Sequence, residues 1–255
     1  MLIVRREQFE SLEAAAHVEF ERELVAHFQD FVPHHSNALG EEGLLKVVKL
    51  GIERAKSFDF TFRGPIRFFI DLMFKCGSGF ATDPQLKWAR EALADRAGDQ
   101  MARSERLYDA YMKYDEKVVG PDSEFARKAG SKAAKLKSSE LDVPEGQDRL
   151  SVMLAKMKEC YPEKAAVVGD SVLASLLPLG TQRAAKYGVT SPRGGLLFAV
   201  LMFACGHQFD TDPVFPWIEA TLTNDRDDDP ERRAERVATK TLTFAARAMA
   251  NMERS

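Results

Sequence analysis

The sequence predicts an all-α protein made of two tandem, degenerate copies of one helical unit of about four to five helices. Three observations predict it. Residues 69–88 read FIDLMFKCGSGFATDPQLKW and residues 198–217 read FAVLMFACGHQFDTDPVFPW, identical at eleven of twenty positions at a fixed offset of 129. Chance gives about one or two such identities. Both stretches carry the same helix start and stop residues, and no alternating β-branched segment bounded by turns reads as a strand.

The offset continues outward. Pro33 pairs with Pro162, Gly40 with Gly169, Gly51 with Gly180, Arg54-Ala55 with Arg183-Ala184, and Thr61 with Thr190. Downstream, Leu93 pairs with Leu222 and Arg103 with Arg232. The expected organisation is a first unit over 1–119, a connecting helix and linker over 120–148, and a second unit over 149–255.

Each element has a local reason. Over 7–31, Phe9, Leu12, Ala16, Phe20, Leu24, Phe28 and Phe31 recur at spacings of three and four, one apolar stripe on a helix that Pro33 ends. A second helix is expected over 41–57, with Leu44, Leu45, Val48, Ile52 and Ala55 inward. A third begins at Thr61, and at Thr190-Ser191-Pro192 in the second copy, where a hydroxyl can cap free amides and Pro has no N–H to lose. Its apolar surround (Ile66, Phe68, Phe69, Leu72, Met73, Phe74) makes it the central helix, and Gly77 and Gly206 mark its end. Thr82-Asp83-Pro84 and Thr211-Asp212-Pro213 announce a fourth helix carrying Trp88 and Trp217, and Asp229-Pro230 a last one over 230–252, whose counterpart is 99–118. Pro178, opposite Lys49, predicts a kink or break in the second copy.

Composition removes several function classes. With 45% apolar and 29% charged residues the chain has a core, and a net charge of −3 gives no electrostatic case for nucleic acid or an anionic membrane. The basic residues Arg127, Lys128, Lys132, Lys135 and Lys137 lack stacking aromatics and read as a solvated helix face. The longest apolar run, Leu196 to Cys205, is about half the length that crosses a bilayer. Three cysteines without metal or redox spacing, and an opening without a signal-peptide core, read as a cytoplasmic protein.

The polar candidates divide between chemistry and architecture. Asp83 and Asp212 could be ligand or catalytic carboxylates, but the following Pro favours N-caps of the fourth helix. Cys205, His207, Asp210 and Asp212 fit no common metal spacing, and the first copy has Ser78 and Ala81 at two of these positions, so no metal is expected. Asp71, within the apolar run, needs a partner; Arg54 and Arg67 are the candidates. His34-His35 reads as a solvated loop. No nucleophile–base motif, phosphate loop or metalloprotease signature is present, so no enzyme activity and no cofactor are expected.

From Phe69 to Ala89 the sequence resembles a bacterial family of accessory proteins encoded in type VI secretion gene clusters, with the pattern Y/F-I-D-L-M-F, a Gly, then F-D-T-D-P-x-L-P-W. Arg5-Arg6-Glu7-Gln8-Phe9, Leu39-Gly40 and Gly51-Ile52-Glu53-Arg54-Ala55 are similar to the same family. The first copy departs at Ala81 and Lys87, and the second has Val200 in place of the helix Asp. The resemblance implies an adaptor or co-chaperone that binds a type VI effector, its chaperone or the spike. An immunity protein against a cognate toxin is the alternative; an acidic face would favour it, and Asp225, Asp227, Asp228, Asp229 and Glu231 form an acidic cluster that reads equally as a loop before a capped helix. An enzyme or toxin without a familiar motif is a third reading. Candidate partner-binding residues are Asp71, Phe80, Trp88, His207, Phe209, Asp210 and Trp217; the competing reading puts the same Phe and Trp in the core of each unit.

Overall fold

The computed structural model describes residues 6–135, 140, 142, 143, 146–224 and 229–252. These residues form twelve α-helices and short 3-10 turns, with no strand among them. The order is α1 (Arg6–Phe31), α2 (Pro33–Ser57), α3 (Arg63–Cys76), α4 (Lys87–Ala94), α5 (Gln100–Val118), α6 (Glu124–Lys135), α7 (Arg149–Cys160), α8 (Pro162–Val168), α9 (Asp170–Lys186), α10 (Pro192–Cys205), α11 (Pro216–Leu222) and α12 (Pro230–Met252). Among the described residues no helix is long and apolar enough to cross a membrane.

Phe20, Leu24 and Phe28 of α1 enter the core, whereas Leu12 is 64% exposed and Phe31 is exposed. The corresponding α7 is short and buries Met153 and Met157 at the positions of Leu24 and Phe28. Pro33 ends α1 by starting the next helix: its missing N–H falls where a helix leaves amides unbonded. Residues 33–57 form one element bent at Gly40, whose φ of 65° suits glycine; Gly169 (φ 81°) separates α8 from α9 at the corresponding place. His34 and His35 therefore sit on a helix and not in a loop.

Of the kink or break expected at Pro178, the break is absent: α9 runs from Asp170 to Lys186 with Pro178 inside it and exposed. Its partner helix comes too close for a detour. A Cβ on Gly180 would lie 2.6 Å from the Ala199 N and 2.9 Å from the Gly195 O of α10. In the first half, a Cβ on Gly51 would lie 2.4 Å from Cγ1 of Ile70, a side-chain atom. Gly180→Ala is thus expected to cost about 2–3 kcal/mol net in urea denaturation, more than Gly51→Ala, because an isoleucine can turn aside and a helix backbone cannot. Equal effects, or stabilisation by the helix propensity of alanine, would contradict this close crossing.

Helix starts also differ from expectation. Ser191 caps α10 by accepting from Gly194 N at 2.9 Å, but Thr61 does not cap α3. Gln100 on α5 instead holds the backbone just before α3, its Oε1 accepting from Thr61 N (2.7 Å) and Phe62 N (2.8 Å). Glu231 on α12 repeats this with Thr190 N and Ser191 N. Likewise Arg103 donates to Phe58 O, and its counterpart on Tyr187 O is Arg233, one place beyond the Arg232 that the offset of 129 selects. Two apolar clusters form the core; Val214 from the second half belongs to the first, and Tyr161 and Phe215 pack on both.

Candidate functional site

The two FxTDP segments meet. Both α3 and α10 end at a glycine, Gly77 (φ 90°, ψ 148°) and Gly206 (φ 97°, ψ 157°), in a region that is essentially glycine-only. Each chain then makes a single 3-10 turn, Phe80–Thr82 and Phe209–Thr211, with Phe80 and Phe209 fully buried. The aspartates follow. Asp83 Oδ1 accepts from Gln85 N at 2.9 Å, closing its own turn, and Oδ2 accepts from His207 N of the other half at 2.9 Å. Asp212 does the same in reverse: Oδ1 accepts from Val214 N at 2.9 Å and Oδ2 from Ser78 N at 2.8 Å. Every pair is related by the offset of 129. The carboxylates do not cap α4 and α11, which begin four residues later without side-chain caps. They cap a turn and tie one half to the other.

Charge is unevenly distributed across this junction. Burial opposes the ionisation of Asp83, yet the His207 side chain and the two backbone amides outweigh it and hold the carboxyl below its usual range. Burial wins at Asp212 and pushes it up, against the amides of Val214 and Ser78 and the charge of Arg54. His207 and Ser78 occupy corresponding positions: the His207 side chain lowers Asp83, whereas the Ser78 side chain and Arg54 do not overcome burial at Asp212. Arg54 donates to Ser78 O, while its counterpart Arg183 pairs with the buried Asp210, which Tyr187 also approaches. Ala81 stands where Asp210 would be, which leaves Arg54 to bond a backbone carbonyl.

Beside the junction lies a cavity of about 740 Å³, bordered by α10, α7, α6 and α12 and by Gln85, Lys164 and Trp217. Cys76 and Cys205 also line it, and burial raises both thiols to about 12. They are neutral at physiological pH and poor nucleophiles. Lys164 Nζ donates to Phe203 O and stands 5.0 Å from the Phe203 ring centroid; burial lowers its pKa. At the corresponding position His35 packs against Phe74 and Phe215, and burial with the charge of His34 lowers it to about 4.

The sequence-derived candidates do not form one cluster. Phe80, Phe209 and Asp210 are buried structural residues. Trp88 is half-buried against Tyr111 and Tyr114. His207 is at the junction, with Nε2 3.4 Å from Thr82 Oγ1. Asp71 lies apart; neither Arg54 nor Arg67 bonds it, and His27 of α1 faces it at 3.4 Å. Burial raises the Asp71 pKa, with His27, Arg67 and Lys75 opposing. Of the seven, Trp217 alone borders the cavity. Asp225, Asp227 and Asp228 fall outside the described residues, Asp229 caps α12 through Glu231 N, and Glu231 holds the backbone just before α10 through Thr190 N and Ser191 N. Gln85 and Lys164 were not singled out in the sequence, where the only trace of Lys164 is its register with His35. Among the described residues no group of three or more His, Cys, Asp or Glu is placed to hold a metal. No family model, curated protein or solved structure matches the chain.

Proposed function

We propose that this chain is a non-enzymatic accessory protein of a bacterial type VI secretion system, an adaptor or co-chaperone that binds an effector in the cytoplasm. What supports a binding role is one observation: the carboxylates of the sharpest motif, Asp83 and Asp212, have both oxygens occupied by backbone amides, so they serve as scaffold. What supports the secretion context is the resemblance of Phe69–Ala89. With it goes the inference that the halves, 1–119 and 149–255 around a 120–148 connector, are degenerate copies of one four-to-five-helix unit. The reciprocal contacts at a constant offset support that reading.

The test is a pull-down of the protein with each product of its neighbouring genes, followed by secretion and toxin-protection assays. Stable binding to an effector, and loss of its secretion on deletion of this gene, is the expected result. Binding with protection and no secretion defect would replace the adaptor by an immunity protein. No binding at all would overturn both.

A further inference from the structure

The cavity beside the junction falls in the size range of small-ligand sites and is walled by apolar side chains such as Leu197, Leu201, Met157 and Ala238. Two polar groups line it as well. Lys164 Nζ donates to Phe203 O, and Gln85 Nε2 donates to Met202 O at 2.9 Å. These carbonyls belong to adjacent residues in the last turn of α10.

Neither is saturated. An ammonium has three donors, and among the described residues Phe203 O is the acceptor Lys164 has. Asp83 faces it electrostatically, together with the thiols of Cys76 and Cys205, but both Asp83 oxygens are held by the amides of Gln85 and His207. The other lysines at the cavity are engaged elsewhere: Lys156 with Glu140 and Glu159, Lys75 over the rings of Phe31 and Tyr111. Gln85 is 4% exposed, and its Oε1 has no donor. A buried acceptor without a donor is costly, and the half-buried Lys164 keeps two N–H donors for a further acceptor.

We propose that the cavity binds an apolar amido-carboxylate, with the carboxylate on Lys164 Nζ, the neighbouring amide N–H on Gln85 Oε1, and the apolar body against Leu197, Leu201 and Met157. An apolar body alone leaves both polar heads unmet, and a plain fatty acid leaves Gln85 unmet. A carboxylate one carbon from an amide N–H answers both. The free C-terminus of a protein chain and an N-acyl amino acid share this chemistry. The site does not depend on the adaptor reading.

Calorimetric titration of the full chain decides it with N-dodecanoylglycine, its carboxamide, dodecanoate, and a hexapeptide ending in three leucines as free acid and as amide. At least one amido-acid is expected to bind, with its amide form weaker by about tenfold or more, since the charge-assisted bond is lost. Binding by N-dodecanoylglycine alone assigns the lipid-like source; binding by the peptide acid alone assigns the chain terminus. Lys164→Met is expected to erase the acid–amide difference, and Gln85→Leu to bring N-dodecanoylglycine down to dodecanoate. If a variant fails to fold, the comparison of ligands on the unaltered protein still stands. The proposal is overturned if neither amido-acid binds, if acid and amide bind alike, or if dodecanoate binds as well as N-dodecanoylglycine.

Discussion

Replacing Asp83 with alanine should destabilise the protein by about 3–5 kcal/mol, because two backbone donors, Gln85 N and His207 N, lose a charged acceptor in a buried place. That is a large part of the stability of an ordinary domain. Asp212→Ala removes an equivalent pair of bonds, to Val214 N and Ser78 N, but also removes a carboxylate whose ionisation burial disfavours. It should cost about 1–3 kcal/mol. The two sites hold one junction, so the double variant should lose less than the sum of the singles.

The pH dependence separates the two aspartates. The Asp83 carboxyl sits below its unfolded value, so it stabilises the fold above about pH 4 and that contribution is lost as pH falls through the folded value. Asp212 sits above its unfolded value. Its stabilising effect is complete below about pH 4 and is lost as pH rises through the folded value. In urea denaturation from pH 7 to 3, the cost of Asp83→Asn should therefore shrink on acidification while that of Asp212→Asn grows. Parallel curves would remove the assigned asymmetry between His207 and Ser78.

The second large effect is expected at Gly77. Gly77→Ala places a side chain on a backbone with φ 90° and ψ 148°, and its Cβ falls 2.9 Å from Cys205 O of the opposing half. The dihedral strain costs about 1–3 kcal/mol, and the pushed carbonyl adds to it, for a total of about 3–4 kcal/mol. Gly206→Ala has similar dihedrals, but its Cβ meets Cys76 O at 3.3 Å. It should cost about 1 kcal/mol less than Gly77→Ala, read as a higher melting temperature in calorimetry. A milder effect at Gly77 than at Gly206 would contradict the close approach.

The all-helical class was legible because helix punctuation is local. Gly77 and Gly206, Ser191-Pro192 and Asp229-Pro230 do at α3, α10 and α12 what their residue types dictate. What was not legible is long-range. Asp before Pro reads as a cap in any sequence, and the second oxygen of Asp83 finds an amide 124 residues away. No periodicity reports that. Thr61 reads as a cap, but its side chain caps nothing at α3, and Gln100 of α5 holds its amide. Asp71 called for an arginine, and His27 faces it because α1 packs there. Pro178 suggested a kink or break, but its carrier helix runs through, clamped on α10 through Gly180. The candidate site suffered most. Gln85 and Lys164 are ordinary polar residues in sequence, and only the meeting of two halves puts their head groups on adjacent carbonyls of one helix.

Two loops 129 positions apart hold each other by a reciprocal exchange of hydrogen bonds, and amide hydrogen exchange of Ser78 and His207 tests this most directly. Both amides should be protected like core helix amides, and Asp83→Asn should lower protection at both together, because opening the junction frees the pair. Exchange at loop rates in the unaltered protein, or a response confined to His207, would contradict it.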